Sequence, residues 1–387
     1  MAKLYQQYPA DLEAGAFYAL SLLASEPPGD ESHAARRKAI AVLNPLFEKQ
    51  PEHPGLAHYI IHTCDTPDLA PLALTAARRY AEIAPSSAHA VHMPSHIFAR
   101  LGLWQEDIAA NQKSVALTEK STAMYMGGHE LHAMHFLLYA YMQTGQDEAA
   151  KQILDKSKQI LARAPAHGDD TGMLEYYNYA AADFPAIYAL EMQHWQEAAA
   201  LPPNPNIAPI DQMTIYWART IGSARLGDVE ATRQNAQKFS ELEDAVRKSK
   251  DAYMLDGPRV RANEVKAWLA FAEKRNDDAL QLMRQIADTQ DKVGKGEVDI
   301  PAREMLADML LELKQPENAL AEYERSMKID PNRFNGLAGA ARAADLSHQP
   351  AKAATYYAQL LKNCDDGKHS DRPQLRSAKT ELAKNTR

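Results

Sequence analysis

The sequence predicts an all-α fold, a right-handed solenoid of stacked helix pairs, and three observations predict it. Ala, Leu, Glu, Lys, Gln and Arg dominate while β-branched runs are few, a composition that favours helix along the whole 387 residues. Helix–turn–helix segments recur at a period near that of a two-helix repeat, about eight of them in all. Histidines recur in the same register within three consecutive segments, which scattered residues would not do.

The first pair opens on DLEAGAFYALSLL and is interrupted between its helices by the polar stretch SEPPGDESH, residues 25–33. HPGLAHYIIH opens the next pair. ARLGLWQEDIAANQKSVAL (99–117) and MQTGQDEAAKQIL (142–154) each place a glycine in the turn and an alanine-rich helix after it. EMQHWQEAAAL near Trp195, ARLGDVEATRQ near Gly227 and EKRNDDALQLM near Ala279 follow the same plan more loosely. The proline-rich LPPNPNIAP, residues 201–209, is the expected joint between an N-terminal array (1–200) and a C-terminal array (210–387) of one continuous solenoid. DKVGKGEVDIP (291–301) is a long loop ahead of the last repeats. Residues 301–331 then read helix, turn, helix and a proline stop, with Ala319, Tyr323 and Met327 forming one apolar stripe at i, i+4 and i+8. Residues 332–361 repeat the plan.

These segments resemble the tetratricopeptide repeat, a helix pair with small residues where its helices touch. The longer phrases DLEAGAFYALSLL, HPGLAHYIIH, HMPSHIFARLGLWQEDIAAN, IPAREMLADMLLE and PNRFNGLAGAARAA also resemble a group of bacterial tetratricopeptide-repeat proteins without an assigned activity. That resemblance implies further sequence ahead of DLEAGAFYAL. It also implies that the first helix of each pair lines a concave face where ligands bind. A fold of this kind is a scaffold, so function has to be argued from the site.

Composition excludes several classes. The formal charge is −8 with no basic stripe, so nucleic acid is a poor partner. No apolar run approaches the roughly 18 residues of a membrane span. The N-terminus has no hydrophobic signal core, so the expected compartment is the cytoplasm, or the periplasm if an export signal precedes this sequence. Cys64 and Cys364 form neither a disulfide framework nor a CxxC knot. There is no GxxxxGK[ST], no GxGxxG after a strand and no GxSxG elbow, so neither a nucleotide cofactor nor a serine nucleophile is indicated.

What stands out is histidine. Nine of fourteen fall between Glu52 and Tyr139, where an even spread would put about three. The turn glycines serve as a ruler. His92 and His96 lie ten and six residues before Gly102, and His135 and Tyr139 stand ten and six before Gly145. His89 and His132 lie thirteen before the same glycines, and His58 and His62 precede His92 and His96 by 34 residues. Residues four apart on a helix share a face, about 40° round from each other. With first helices lining the concave face, as the resemblance implies, three adjacent helices carry histidine toward one groove, with His53 and His129 off the ladder.

Helix axes in contact lie about 8–10 Å apart, near enough for imidazoles of neighbouring helices to share an ion at ~2.0–2.1 Å per bond. The candidate ligands are His58, His62, His89, His92, His96, His132 and His135. Imidazole-only ligation suits Zn, Cu, Ni or Fe and not Ca or Mg. Zn or Cu is favoured, and six or more histidines have capacity for two ions. Asp65, one turn beyond His62, is placed to orient a ligand ring. Tyr139 holds the ladder site of His62 and His96 and is placed to donate into the groove. HELH at 129–132 is not the metalloprotease HExxH, whose histidines are at i and i+4. The ten-before-turn register runs on to Asp183, Trp217, Glu264 and Glu304, so Glu264 and Glu304 are candidates to face the groove or seat a cation. The competing reading is a metal-free groove that binds a peptide or a protein partner, with histidines as hydrogen-bonding and stacking groups. No general base is identified, and catalysis stays open. Pro94 sets a condition: it must occupy a first helical turn, or it breaks the helix that carries His92 and His96.

Overall fold

A computed structural model describes residues 1–27, 29–120, 126–162, 171–256, 261–296 and 298–385. Among the described residues every regular element is helical, and no strand occurs. Helices follow one another as pairs of the α-solenoid class: Leu12–Ala24 with Ala34–Lys49, Pro54–Thr63 with Ala70–Ile83, and so on to Phe334–Leu346 with Pro350–Asn363.

From Gly102 onward, seven of the turns inside pairs share one recipe. Gly102, Gly145, Gln193, Gly227, Lys274, Lys314 and His348 all adopt the left-handed conformation, with φ between 57 and 76°. The amide one residue later returns to a carbonyl five residues back: Leu103 to Phe98, Gln146 to Tyr141, His194 to Ala189, Asp228 to Ser223, Arg275 to Ala270, Gln315 to Leu310 and Gln349 to Ala344, all at 2.8–3.0 Å. This is the bond that closes orphan carbonyls at a helix C-terminus. Glycine is the residue that meets the left-handed requirement without strain, which is why it made a usable ruler. Four of the seven turns do without it, which is why the downstream repeats read loosely. They keep the register all the same, since Asp183, Trp217, Glu264 and Glu304 stand ten residues before Gln193, Gly227, Lys274 and Lys314.

The chain divides into two compact units. One holds Met1–Phe136, Asp291–Glu297 and Ile329–Pro331; the other holds Leu137–Gln290, Val298–Lys328 and Asn332–Arg387. Residues 201–209 lie inside the second unit.

The core of the first unit alternates large and small side chains. Leu43, Leu56, Ile60, Ile61 and Ile97 are buried against Ala39, Ala57, Ala70, Ala73 and Ala77. Alanine at the crossings lets helix axes approach, while each buried Leu or Ile contributes roughly 1.5–3 kcal/mol. In the second unit Trp217, Trp268, Phe184, Phe334 and Leu306 do the equivalent packing. No helix among the described residues is long and apolar enough to cross a membrane.

Candidate metal centre

The middle histidine helix is built in two pieces. Ser87 caps Ala88–His92, its hydroxyl accepting the Ala90 amide at 3.3 Å. A second helix, Pro94–Arg100, begins with the proline at its first position, where no amide proton is needed. Between them Met93 keeps a helical backbone (φ −49°, ψ −36°), and its amide bonds the His89 carbonyl at 3.0 Å. The path thus stays helical through the residue preceding the proline, and His89, His92 and His96 remain on one run.

His92 is 3% and His96 9% exposed, and their Nε2 atoms lie 3.2 Å apart. His132 comes from the Met126–Gln143 helix, in the part belonging to the first unit, with its ring 4.4 Å from His92 and 5.5 Å from His96. One ligand nitrogen from each of the three lies within 4.8 Å of the others. Phe136, one turn beyond His132, packs its ring 4.8–5.3 Å from all three. It gives the triad an apolar wall.

The outer nitrogens are held as well. His92 Nδ1–H donates to Asn111 Oδ1 at 2.7 Å, and the Asn111 amide group donates to Asp107 Oδ1 at 2.5 Å and to the Asp107 carbonyl at 3.0 Å. Because the Asn111 nitrogen is committed to Asp107, its oxygen must face His92, and that fixes the His92 proton on Nδ1. His96 Nδ1–H donates to Asp65 Oδ2 at 3.1 Å. Arg100 holds the other carboxylate oxygen at 3.0 Å and reaches the Lys295 carbonyl at 2.7 Å.

With both protons on Nδ1, the two Nε2 atoms present lone pairs to each other at 3.2 Å. Such a contact is repulsive unless a cation lies between. A proton on His92 is disfavoured, because burial, and then the neighbouring His132 and His96, hold it well below the usual imidazole range. A metal ion shared by both nitrogens would also compensate the contact. Nitrogens bound at ~2.0–2.1 Å to one tetrahedral ion stand about 3.4 Å apart, close to the separation found. Two of the three imidazoles, His92 and His96, have acceptors on their outer nitrogens, the arrangement that raises ligand basicity.

A second group of imidazoles adjoins the first. His58 Nε2 lies 3.0 Å from His62 Nε2 and 3.2 Å from His89 Nε2. Tyr59 and Tyr80 stack on the His58 ring at 5.9 and 5.6 Å. Burial, followed by neighbouring imidazoles, pushes both His58 and His89 down to about 4. His129 is exposed and packs edge-on to His89 at 5.5 Å. The His62 and His96 rings, 6.4 Å apart, link the two groups.

Other expected residues fall elsewhere. Asp65 does contact a ring, that of His96, though it stands one turn beyond His62. His135 is buried and is not one of the three converging ligands. Tyr139, Glu264 and Glu304 belong to the second unit and are buried there, not exposed on an open groove. Glu264 accepts the Trp217 indole N–H at 2.7 Å, while Glu304 pairs with Arg333 at 2.9 Å. The Arg333 guanidinium also bonds the Tyr139 hydroxyl and Glu191. The ruler located these positions along the chain but carried no information on depth; the buried Arg333 supplies the counter-charge for Glu304, and the Trp217 N–H serves Glu264. Burial pushes the Cys64 thiol up to about 12, and Cys64 is not among the converging ligand groups.

Asp107 and Asn111 were missed. Their signal was present: Asp107, Asn111, Ser114 and Thr118 form a polar stripe on the buried face of the Trp104–Thr118 helix, where an ordinary packing helix would be apolar.

The tetratricopeptide repeat profile matches residues 131–160 and 300–333. No curated protein matches the sequence. Among solved structures, the chain is similar to a tetratricopeptide repeat protein from Parabacteroides merdae, at 14% identity and TM-score 0.35 over 78% of this chain and all of that one. It is also similar to the P58(IPK) tetratricopeptide-repeat domain (14%, TM-score 0.29, 97% of this chain and 99% of that one) and to yeast Tom70 (11%, TM-score 0.30, 95% and 96%).

Proposed function

We propose that this protein binds a transition-metal ion through His92, His96 and His132, with zinc or copper preferred and iron or nickel compatible. The observation that carries this reading is the pair of Nε2 atoms facing each other at 3.2 Å while both Nδ1 atoms are engaged by Asn111 and Asp65. Phe136 and the buried Asn111–Asp107 pair hold the rings ready, so little is lost in ordering them when an ion arrives. Three protein ligands on a four-coordinate ion leave one position open, the pattern of catalytic rather than structural zinc. A metalloenzyme role is compatible with that vacancy, although no side chain stands out as a general base.

The test is elemental analysis of untagged protein purified aerobically, alongside His92→Ala combined with His96→Ala. About one equivalent of metal per chain is expected, with loss of the ion in the double variant and loss of the rise in melting temperature that zinc gives the chelator-stripped parent, because an ion bound only to the native state stabilises it. Less than a tenth of an equivalent, with no tight rebinding of zinc or copper to chelator-stripped protein, overturns the reading.

A second reading rests on the repeats at 131–160 and 300–333: a scaffold that binds a peptide or protein partner. It predicts no metal in the parent and a loss of partner binding in the double variant.

A further inference from the structure

The His58 group repeats the problem posed by the first triad in a more open place. His58 Nε2 carries either one proton or one lone pair, yet it faces two other Nε2 atoms, His62 at 3.0 Å and His89 at 3.2 Å. As a donor it satisfies one neighbour; as an acceptor its single in-plane lone pair takes one proton. One of the two contacts is therefore always left uncompensated by hydrogen bonding. His89 adds an independent sign, since its Nδ1 is buried without a hydrogen-bond partner. Both nitrogen–nitrogen spacings are close to the about 3.4 Å expected of two imidazoles on one ion.

Position matters too. His62 is exposed and His58 and His89 are half-buried, so solvent reaches this group, whereas His92 and His96 are buried. His58 and His62 are an i, i+4 pair on the Pro54–Thr63 helix, and His89 comes from the neighbouring Ala88–His92 helix. Two stacked tyrosines hold the central ring.

We propose that His58, His62 and His89 hold a second transition-metal ion beside the first, weaker and open to solvent, with His129 next to it. This rests on the His92, His96 and His132 reading above. The second ion is the weaker one because His89 Nδ1 has no acceptor, and outer acceptors of that kind are worth ~10–100-fold in metal affinity.

The experiment is competitive titration of the full, untagged, chelator-stripped chain with Zn(II) against a chromophoric chelator. Two equivalents are expected, the second bound at least ~10-fold more weakly. His62→Ala, a change at an exposed site, and His58→Gln should each leave only the tight equivalent, with an unchanged melting temperature in chelator at pH above the ordinary imidazole range. His92→Ala with His96→Ala should leave only the weak one. A single equivalent that His62→Ala does not alter overturns this inference and leaves the first centre standing. No equivalent at all overturns both. Two equivalents that survive His62→Ala combined with His89→Ala overturn the assignment of the second site.

Discussion

His96 Nδ1 donates to Asp65 Oδ2 across 3.1 Å, and that bond decides which nitrogen of His96 faces His92. Asp65→Asn keeps an oxygen acceptor but removes the charge that raises the basicity of the ring. It is expected to weaken zinc binding by ~10–100-fold, the usual effect of an outer carboxylate. Chelator competition at fixed neutral pH measures it. Unchanged affinity would show that the carboxylate serves Arg100 alone.

Asn111 links Asp107 to His92 in the interior of the first unit. Asn111→Ala leaves the His92 Nδ1–H with only the Ser95 hydroxyl at 3.3 Å and takes a donor from the Asp107 carboxyl, a loss of about 1–3 kcal/mol per weakened group. A lower denaturation midpoint in chelator is expected, together with weaker metal binding. Asn111→Asp should be less harmful to His92 and more harmful beside Asp107, because it brings two acids together in a buried place.

The imidazole groups predict an acid-labile apo protein. Burial first, then neighbouring imidazoles, depress His58 and His89 to about 4, and His92 lies well below its usual value. A base whose folded pKa is depressed binds fewer protons folded than unfolded in that range. The stability it contributes is present above the unfolded value near 6.5 and is lost as pH falls from there toward 4. Melting temperature in chelator should drop across that window, and His58→Gln with His89→Gln should flatten the drop. A profile indifferent to those substitutions would assign the acid sensitivity to other groups.

Glu264 has the opposite sign. Burial, with Asp299 adding to it, raises its carboxyl to about 8, above the unfolded value of 4.5. The folded chain then holds the proton more tightly, so stability is present below 4.5 and is lost as pH rises toward 8. Glu264→Gln retains an acceptor for the Trp217 N–H and carries no charge. It is expected to stabilise the protein at pH above about 8 and to be close to neutral at pH near 5. Greater destabilisation at the higher pH would contradict the raised value.

Lys314 occupies the left-handed turn position with φ 58° and an exposed side chain. Lys314→Gly should raise stability by ~0.5–1 kcal/mol, since relief of the left-handed conformation outweighs the added freedom of the unfolded chain. Chemical denaturation detects a change of that size. A loss of stability would mean that the turn tolerates lysine without strain.

Much of this molecule is written locally. Helix content, the recurring pair and the position ten residues before each turn follow from composition and from the conformation of a single turn residue, and these reach only a few residues along the chain. Glycine at 102, 145 and 227 made three turns explicit, while Gln193, Lys274, Lys314 and His348 adopt the same backbone with nothing in their side chains to announce it. The histidine register was legible for the same reason, because spacing on a helix is a local quantity. Depth and partnership were not. That His132 rather than His135 joins His92 and His96, that Asp65 serves His96 rather than His62, and that Glu264 and Glu304 lie buried beside Trp217 and Arg333 depend on contacts between residues 29 to 47 positions apart or on the stacking of separate helices. The sequence alone determined which residues share a helix face. Only the tertiary structure decided which faces meet, because that depends on how neighbouring helices pack and on which buried charge finds a counter-charge.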